Sequence, residues 1–320
     1  MSGSFSKHPI VFYNVENLFD TIDDPELQGN EEFTPEGDKG WDEERYREKL
    51  NRLAEALLLA NGSTPLAFGM AEIENRQVVE DLIQTDRLQH ISYKIVHFDS
   101  EDRRGIDCVF VYDSRFLKAE LETKLIVHVE DEPHFRTRDI LHIKTRLSGH
   151  EIHFFVNHWP SRREGIRESE NRRYAAARLL RSEIDEILHF NHDANIIVMG
   201  DFNDTPEDPS IREVLRAKGQ HEQKSGDLIN LLIEEQKKGE GTVVYERQWD
   251  VFDQLIVSQG LLQGQSGLEV EQNNAFIVRN PKLLYTYADG NQKPNSSYGG
   301  DYYQGGYSDH LPVFLNLQEK

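Results

Sequence analysis

Gly200-Asp201-Phe202-Asn203-Asp204, directly after the apolar run Ile196-Ile197-Val198-Met199, and Ser308-Asp309-His310-Leu311-Pro312-Val313, leading into another apolar run, decide how this chain is read. Each sets reactive side chains at the edge of a strand. A carboxylate beside an imidazole can hold a metal and polarise a phosphoryl oxygen, and a carboxylate two residues from an amide can aim a water at phosphorus. A single Asp-His pair is as readily a loop that satisfies its own backbone. Three further edges change that balance: Ile10–Tyr13 runs into Asn14, Leu66–Ala71 into Glu72, and Ile152–Asn157 into His158. Where helices cover a sheet, ligands bind at the ends of strands, so five edges closing on Asn, Glu, His, Asp and Asp-His form a metal-dependent phosphoesterase constellation.

The pieces YNVEN around Asn14, AEIEN around Glu72, VNHWPSR around His158, GDFNDTP around Asp201 and Asn203, WDVFDQLIVS around Asp253 and SDHLPV around Asp309 and His310 follow one another along nearly the whole chain. In order and spacing they resemble the endonuclease/exonuclease/phosphatase superfamily typified by deoxyribonuclease I. The resemblance implies a four-layered α/β sandwich, two mixed β-sheets packed face to face with helices outside. It also implies metal-assisted phosphoester hydrolysis. Under it, Asp201 assisted by Asn203 orients and deprotonates the attacking water. His310, with Asp253 as its carboxylate partner, polarises or protonates a phosphate oxygen, and His158 is the second imidazole. Abasic-site endonucleases of the superfamily carry tyrosine there, whereas deoxyribonuclease I and many phosphodiesterases carry histidine.

The metal expected is magnesium or manganese, since the donors are hard oxygens. Glu72 is the principal candidate ligand, with Asn14 and Asp309 or Asp201 beside it. Zinc fits less well, because the histidines lack the close spacing of zinc sites. Asp107, at the start of an apolar run, either pairs with His158 or is a solvated turn residue. Glu74 and Asn75 read as caps of the next helix.

The chain of 320 residues has 36 basic and 57 acidic side chains, a formal charge of −21, which disfavours a polyanion on average. Arg162 and Arg163, just after His158, are nevertheless candidate phosphate-binding groups, whereas the arginines from Arg172 onward alternate with glutamates as a solvated helix face does. The loop Tyr298–Tyr307 mixes glycine and tyrosine beside the Asp-His pair and offers stacking faces, with Tyr307 a candidate substrate contact; a packed surface loop is the equal alternative.

Apolar residues make up 37% of the chain and aromatics 10%, enough for a buried core, and no linker divides it. One domain is expected over 1–320, with 1–9 flexible. Cys108 lies in an apolar run and reads as a small buried hydrophobe. No run is long enough for a membrane helix, and Met1–Pro9 lacks the apolar centre of a signal peptide. A soluble monomer without an obligate protein partner is expected, cytoplasmic as written and secreted if a leader has been removed.

Asp42 before Leu50, Leu53, Leu57 and Leu58, closed by Asn61-Gly62, predicts an amphipathic helix, and Ala175 to Leu188 predicts a second. Further strands are expected at Ile95–Phe98, Cys108–Tyr112, Leu125–Val129, Ile140–Leu147, Leu255–Val257 and Val313–Leu315. Gly219–Gly241 reads ambiguously. The first-ranked substrate is DNA, cleaved by a deoxyribonuclease I-like endonuclease. Second comes a small phosphorylated molecule such as an inositol phosphate or lipid head group, and last a non-catalytic binding role.

Overall fold

A computed structural model describes residues 7–320 except Glu26, Gln28 and Asn61. Strands β1 (Lys7–Leu18), β2 (Ala67–Ile73), β3 (Tyr93–His97) and β4 (Asp107–Asp113) join the C-terminal strands Leu268–Ile277 and Val313–Glu319 in a six-stranded mixed sheet. A second mixed sheet of seven strands contains β5 (Leu117–Leu125), β6 (Ile140–Leu147), β7 (His150–His158), β8 (Asn195–Asp201), the strand Asp253–Val257, β9 (Ala217–Lys218) and β10 (Leu228–Asn230).

At its edge the second sheet pairs β9 with β10 in parallel; each sheet is organised around one central parallel pair, β1 with β2 and β7 with β8. Parallel neighbours need a crossover, and each central pair uses a helix for it. Helix α1 (Glu43–Leu59) connects β1 to β2, followed by α2 (Arg76–Ile83); α3 (Glu170–Phe190) connects β7 to β8. Asp42 caps α1 by accepting from the Arg45 backbone N–H at 2.9 Å, and Asn75 caps α2 through the Val78 N–H at 3.1 Å. These caps satisfy donors that a helix start leaves unpaired.

Side-chain alternation along β1 sorts the layers. Ile10 and Phe12 point into a core between the sheets with Phe110, Phe154, Val156, Met199 and Leu255, while Val11 and Tyr13 face the opposite way, under Leu50, Leu53 and Leu57 of α1. On the far sheet, Phe155, Ile196 and Val198 pack beneath Ala176, Leu180 and Ile184 of α3. The result is helix, sheet, sheet, helix. The sheets pack tightly at Gly69, where an added Cβ would lie 2.8 Å from Met199 Sδ, so a side chain there would push against the facing layer.

Several expectations change. Lys7–Pro9, expected to be flexible, are the first rungs of β1 and pair with Gln318, Leu317 and Asn316, because the C-terminal strand offers them a ladder; the rest of that expectation, and Asn61, lie outside the described residues. The strand expected at Leu125–Val129 sits earlier, at Leu117–Leu125. Val127 and Val129 are buried against Trp159 and the α3 layer without a ladder, so their apolar character reports packing and not a strand. The ambiguous segment holds β10 and the short helix Ile233–Lys237. Cys108 is buried. No helix among the described residues is long and apolar enough to cross a membrane.

Candidate active site

The register of the second sheet sets three candidate residues side by side: His158 of β7 pairs with Asp201 of β8, and Asp201 pairs with Asp253 on its other side. Asn14 and Glu72 of the first sheet, and His310 on the segment that leads into the strand Val313–Glu319, meet this edge at the same end of the sandwich. Asp201 Oδ2 is the meeting point. It accepts from Asn14 Nδ2 at 3.0 Å and lies 3.6 Å from His158 Nε2 and 3.9 Å from His310 Nε2. Its other oxygen accepts from the Asn203 backbone N–H at 2.9 Å, so the carboxylate is held at both ends. The Asn203 side-chain amide donates to Trp159 O at 3.0 Å, so its N–H is occupied away from Asp201.

Backbone strain is concentrated here. Glu16, Asn17, Glu72 and Asn203 are four of the eight non-glycine residues with positive φ among those described. Such conformations cost on the order of 1–3 kcal/mol each and persist only where surrounding contacts enforce them. Glu72, at φ 67°, stands where the pairing of β2 with both neighbours slips. The bulge turns its carboxylate out of the ladder: Oε2 accepts from the Asn17 N–H at 2.9 Å, and Oε1 lies 4.0 Å from His158 Nε2.

Two buried imidazoles therefore face one carboxylate in opposite electrostatic settings. His310 Nδ1 is 2.7 Å from Asp253 Oδ2. Burial works against charge on His310, but Asp253, Asp201 and Asp309 outweigh it and hold the ring well above the ordinary histidine value. His158 is pushed well below that value by burial and then by Arg138 and Arg104, and its Nδ1 has no hydrogen-bond partner among the described residues. Burial also raises the Asp201 carboxyl, opposed by His310 and helped by Asp253, to about 6.

The chemistry of the donors suits a hard divalent cation. Glu72 and Asp309 offer carboxylate oxygens and Asn14 its amide oxygen, and Asp309 is exposed at the mouth of the site. Asp201, Asp253 and His310 form a second possible metal-holding group, with one ligand atom from each lying within 4.8 Å of the others.

Three sequence expectations do not survive. Arg162 is buried and committed to Asp204 at 2.6 Å, Asp208 at 2.5 Å and Asn203 O at 2.6 Å, so it braces the Asp201 loop and offers no rim for phosphate. Tyr307 is buried beneath α1, its hydroxyl donating to Glu55 at 2.9 Å, and is no substrate contact. Asp107 pairs with His97 at 3.2 Å, not with His158. Arg163 does lie exposed beside the site.

Sequence reading missed Lys49. On an amphipathic helix it looks like a solvated charge, yet it is buried, with Nζ 2.6 Å from Ser297 Oγ, 2.7 Å from Tyr307 O and 3.6 Å from Glu16 Oε2. Burial raises the Glu16 carboxyl against the pull of Lys49. Lys49 also favours the charged form of Asp309, against burial. The available signal was Lys49 falling directly beside the apolar stripe at Leu50 and Leu53.

The model of the Endonuclease/Exonuclease/phosphatase family matches residues 9–319. The chain belongs to that family. It is thus a phosphoesterase, the activity that runs through the family. The endonuclease/exonuclease/phosphatase fold recurs in solved structures. A family protein from Bacteroides thetaiotaomicron is 15% identical with TM-score 0.61, covering 99% of each chain. The mannosyl-6-phosphatase of the same organism is 14% identical with TM-score 0.59, over 97% of this chain and 99% of that one. D. rerio TDP2 complexed with a single-strand DNA product is 15% identical with TM-score 0.56, over 98% and 99%. No curated protein matches the sequence.

Proposed function

We propose that this edge hydrolyses a phosphoester by direct attack of water, with Asp201 as general base and two histidines of unlike charge on the phosphoryl oxygens. The observation that carries the reading is the convergence of Asn14, His158 and His310 on Asp201 Oδ2 within 3.0, 3.6 and 3.9 Å. Asp201 takes a proton as the water oxygen bonds to phosphorus and the ester P–O bond breaks. Charged His310, oriented by Asp253, directs its Nε2–H toward the developing negative charge. Neutral His158 supplies a donor without adding charge. Magnesium or manganese, held by Glu72, Asp309 and Asn14, would neutralise phosphoryl charge and template the substrate.

For the substrate, a small phosphorylated molecule is the better-supported class. Arg162 is withdrawn from the rim into buried ion pairs, and the chain carries a formal charge of −21. The deoxyribonuclease I-like endonuclease is the second reading. Exposed Arg163 favours it, and the fold shared with TDP2 bound to single-strand DNA makes it worth direct trial. The test is a panel of a chromogenic phosphodiester, sugar and inositol phosphates, RNA, single-stranded DNA and plasmid, each with magnesium or manganese. At least one substrate should turn over in the wild type and not in Asp201→Asn. If wild type and variant are equally inert on all of them, the reading fails.

A further inference from the structure

Beside the catalytic edge lies a recess of about 400 Å³ whose walls include Asn17, Phe19, Phe33, Lys39, Arg104 and Arg163. It joins the centre through one residue: Asn17 gives its backbone N–H to Glu72 Oε2, and its side-chain oxygen accepts from the Arg104 guanidinium. Arg104 and Arg163 are also near enough to His158 to disfavour its charge. The buried and half-buried arginines Arg138, Arg162, Arg173 and Arg172 on neighbouring segments are taken up by carboxylates, Arg138 by Asp102, Arg162 and Arg173 by Asp204, and Arg172 by Glu132. Arg104 is half-buried and has no carboxylate partner, and Arg163 has neither a hydrogen bond nor an ion pair among the described residues. Lys39 pairs with the exposed Asp301 and donates to Gly300 O at 3.3 Å, surface contacts that a ligand can exchange at little cost. Among the described residues Glu32 is the single acid on the wall. Phe19 and Phe33 stack at 4.6 Å, and Trp41 donates to Phe19 O at 3.0 Å, which gives the recess a stiff apolar side.

Half-buried Arg104, whose guanidinium meets only the Asn17 amide oxygen, and exposed Arg163 thus set two guanidiniums without a carboxylate among the described residues in one concave wall, where an anion can complete them. We infer that the recess takes a second phosphoryl group of the substrate, so that the enzyme prefers a compact molecule carrying two phosphates over one carrying only the scissile phosphate. The inference rests on the phosphoesterase reading and adds the substrate class to it. A sugar bisphosphate and a short 5′-phosphorylated strand share this chemistry.

The experiment measures kcat/KM for a hexose bisphosphate against the matching hexose monophosphate, and for a 5′-phosphorylated dinucleotide against its unphosphorylated form. In one pair or the other the wild type should prefer the doubly charged member, and the active pair identifies the source. Arg163→Ala should cut that preference about 10- to 100-fold, mainly through KM, the range expected for losing one charge-assisted contact. Arg167→Ala, an exposed arginine on the same loop, should leave the preference intact. A preference that Arg163→Ala leaves within twofold, or no preference in either pair, overturns the inference. Calorimetric binding of the hexose bisphosphate and the phosphorylated dinucleotide to chelator-treated protein separates the two claims. If neither substrate is hydrolysed but one binds and Arg163→Ala abolishes binding, the recess stands and the catalytic reading falls. If neither binds, or binding ignores Arg163, the recess falls whatever the catalysis.

Discussion

His310 and His158 are both buried imidazoles at strand ends, and both face Asp201 Oδ2 at 3.6 to 3.9 Å, yet one is held charged and the other neutral. The difference is not in the residues or their depth. Carboxylates surround His310, with Asp253 at 2.7 Å, whereas guanidiniums flank His158. Neighbours that come from distant parts of the chain divide one residue type into two roles, as paired groups in hydrolytic sites commonly are.

The largest expected effect tests the frame that both histidines serve. Removing divalent cations with excess chelator should abolish turnover, and full activity under those conditions would remove the Glu72, Asn14 and Asp309 assignment. Next, His310→Ala should lower kcat by roughly 10²–10⁴-fold, the usual loss for a general acid or base, with His158→Ala in the same range. Asp253→Asn should reproduce much of the His310 loss and none of the His158 loss; equal damage to both would dissolve the distinction.

Thermal unfolding in chelator probes the proton states directly. In the unfolded chain each imidazole titrates near its ordinary value of about 6.5. Native His310 has a raised value, so its stabilisation is present below that pH and is lost as pH rises through the native value. Native His158 has a lowered value, so its stability contribution is present above about 6.5 and is lost as pH falls. His310→Ala should therefore cost more Tm at about pH 5.5 than at about pH 8, and His158→Ala less. Parallel pH dependence in the two variants would break the comparison.

Smaller effects separate bracing from contact. Arg162→Ala removes one of the two guanidiniums on buried Asp204, which keeps Arg173 at 2.7 Å, and should cost about 1.5–3 kcal/mol of stability in denaturant unfolding, as losing a hydrogen bond to a charged group does. Tyr307→Phe should lose only about 0.5–1.5 kcal/mol and leave KM unchanged; a raised KM would return Tyr307 to the substrate.

What could be read from the one-dimensional pattern was the set of strand edges. Asn14, Glu72, His158 and Asp201 each follow an apolar run and the Asp309-His310 pair precedes one, and the alternation that buries such a run between layers also delivers the side chains at its end to the rim. The two crossover helices were legible for the same reason, through caps and apolar periodicity at Asp42 and along Ala175 to Leu188. Adjacent arginines were not distinguishable in this way. Arg162 and Arg163 are chemically identical and neighbours in sequence, and only the position of Asp204 and Asp208 turns one inward.

The sequence by itself determined most strands, the two crossover helices and which strand ends carry reactive groups, because burial periodicity is a local property of the chain; the layered sandwich was what the resemblance of its motifs implied. Tertiary structure alone decided the rest: that Asp107 meets His97, that Lys49 is buried beside Glu16, that Tyr307 is sealed under α1 and that His310 and His158 differ in charge. Those outcomes depend on which charges stand within a few ångströms across the fold. Electrostatic energy falls with distance in space and takes no account of distance along the chain.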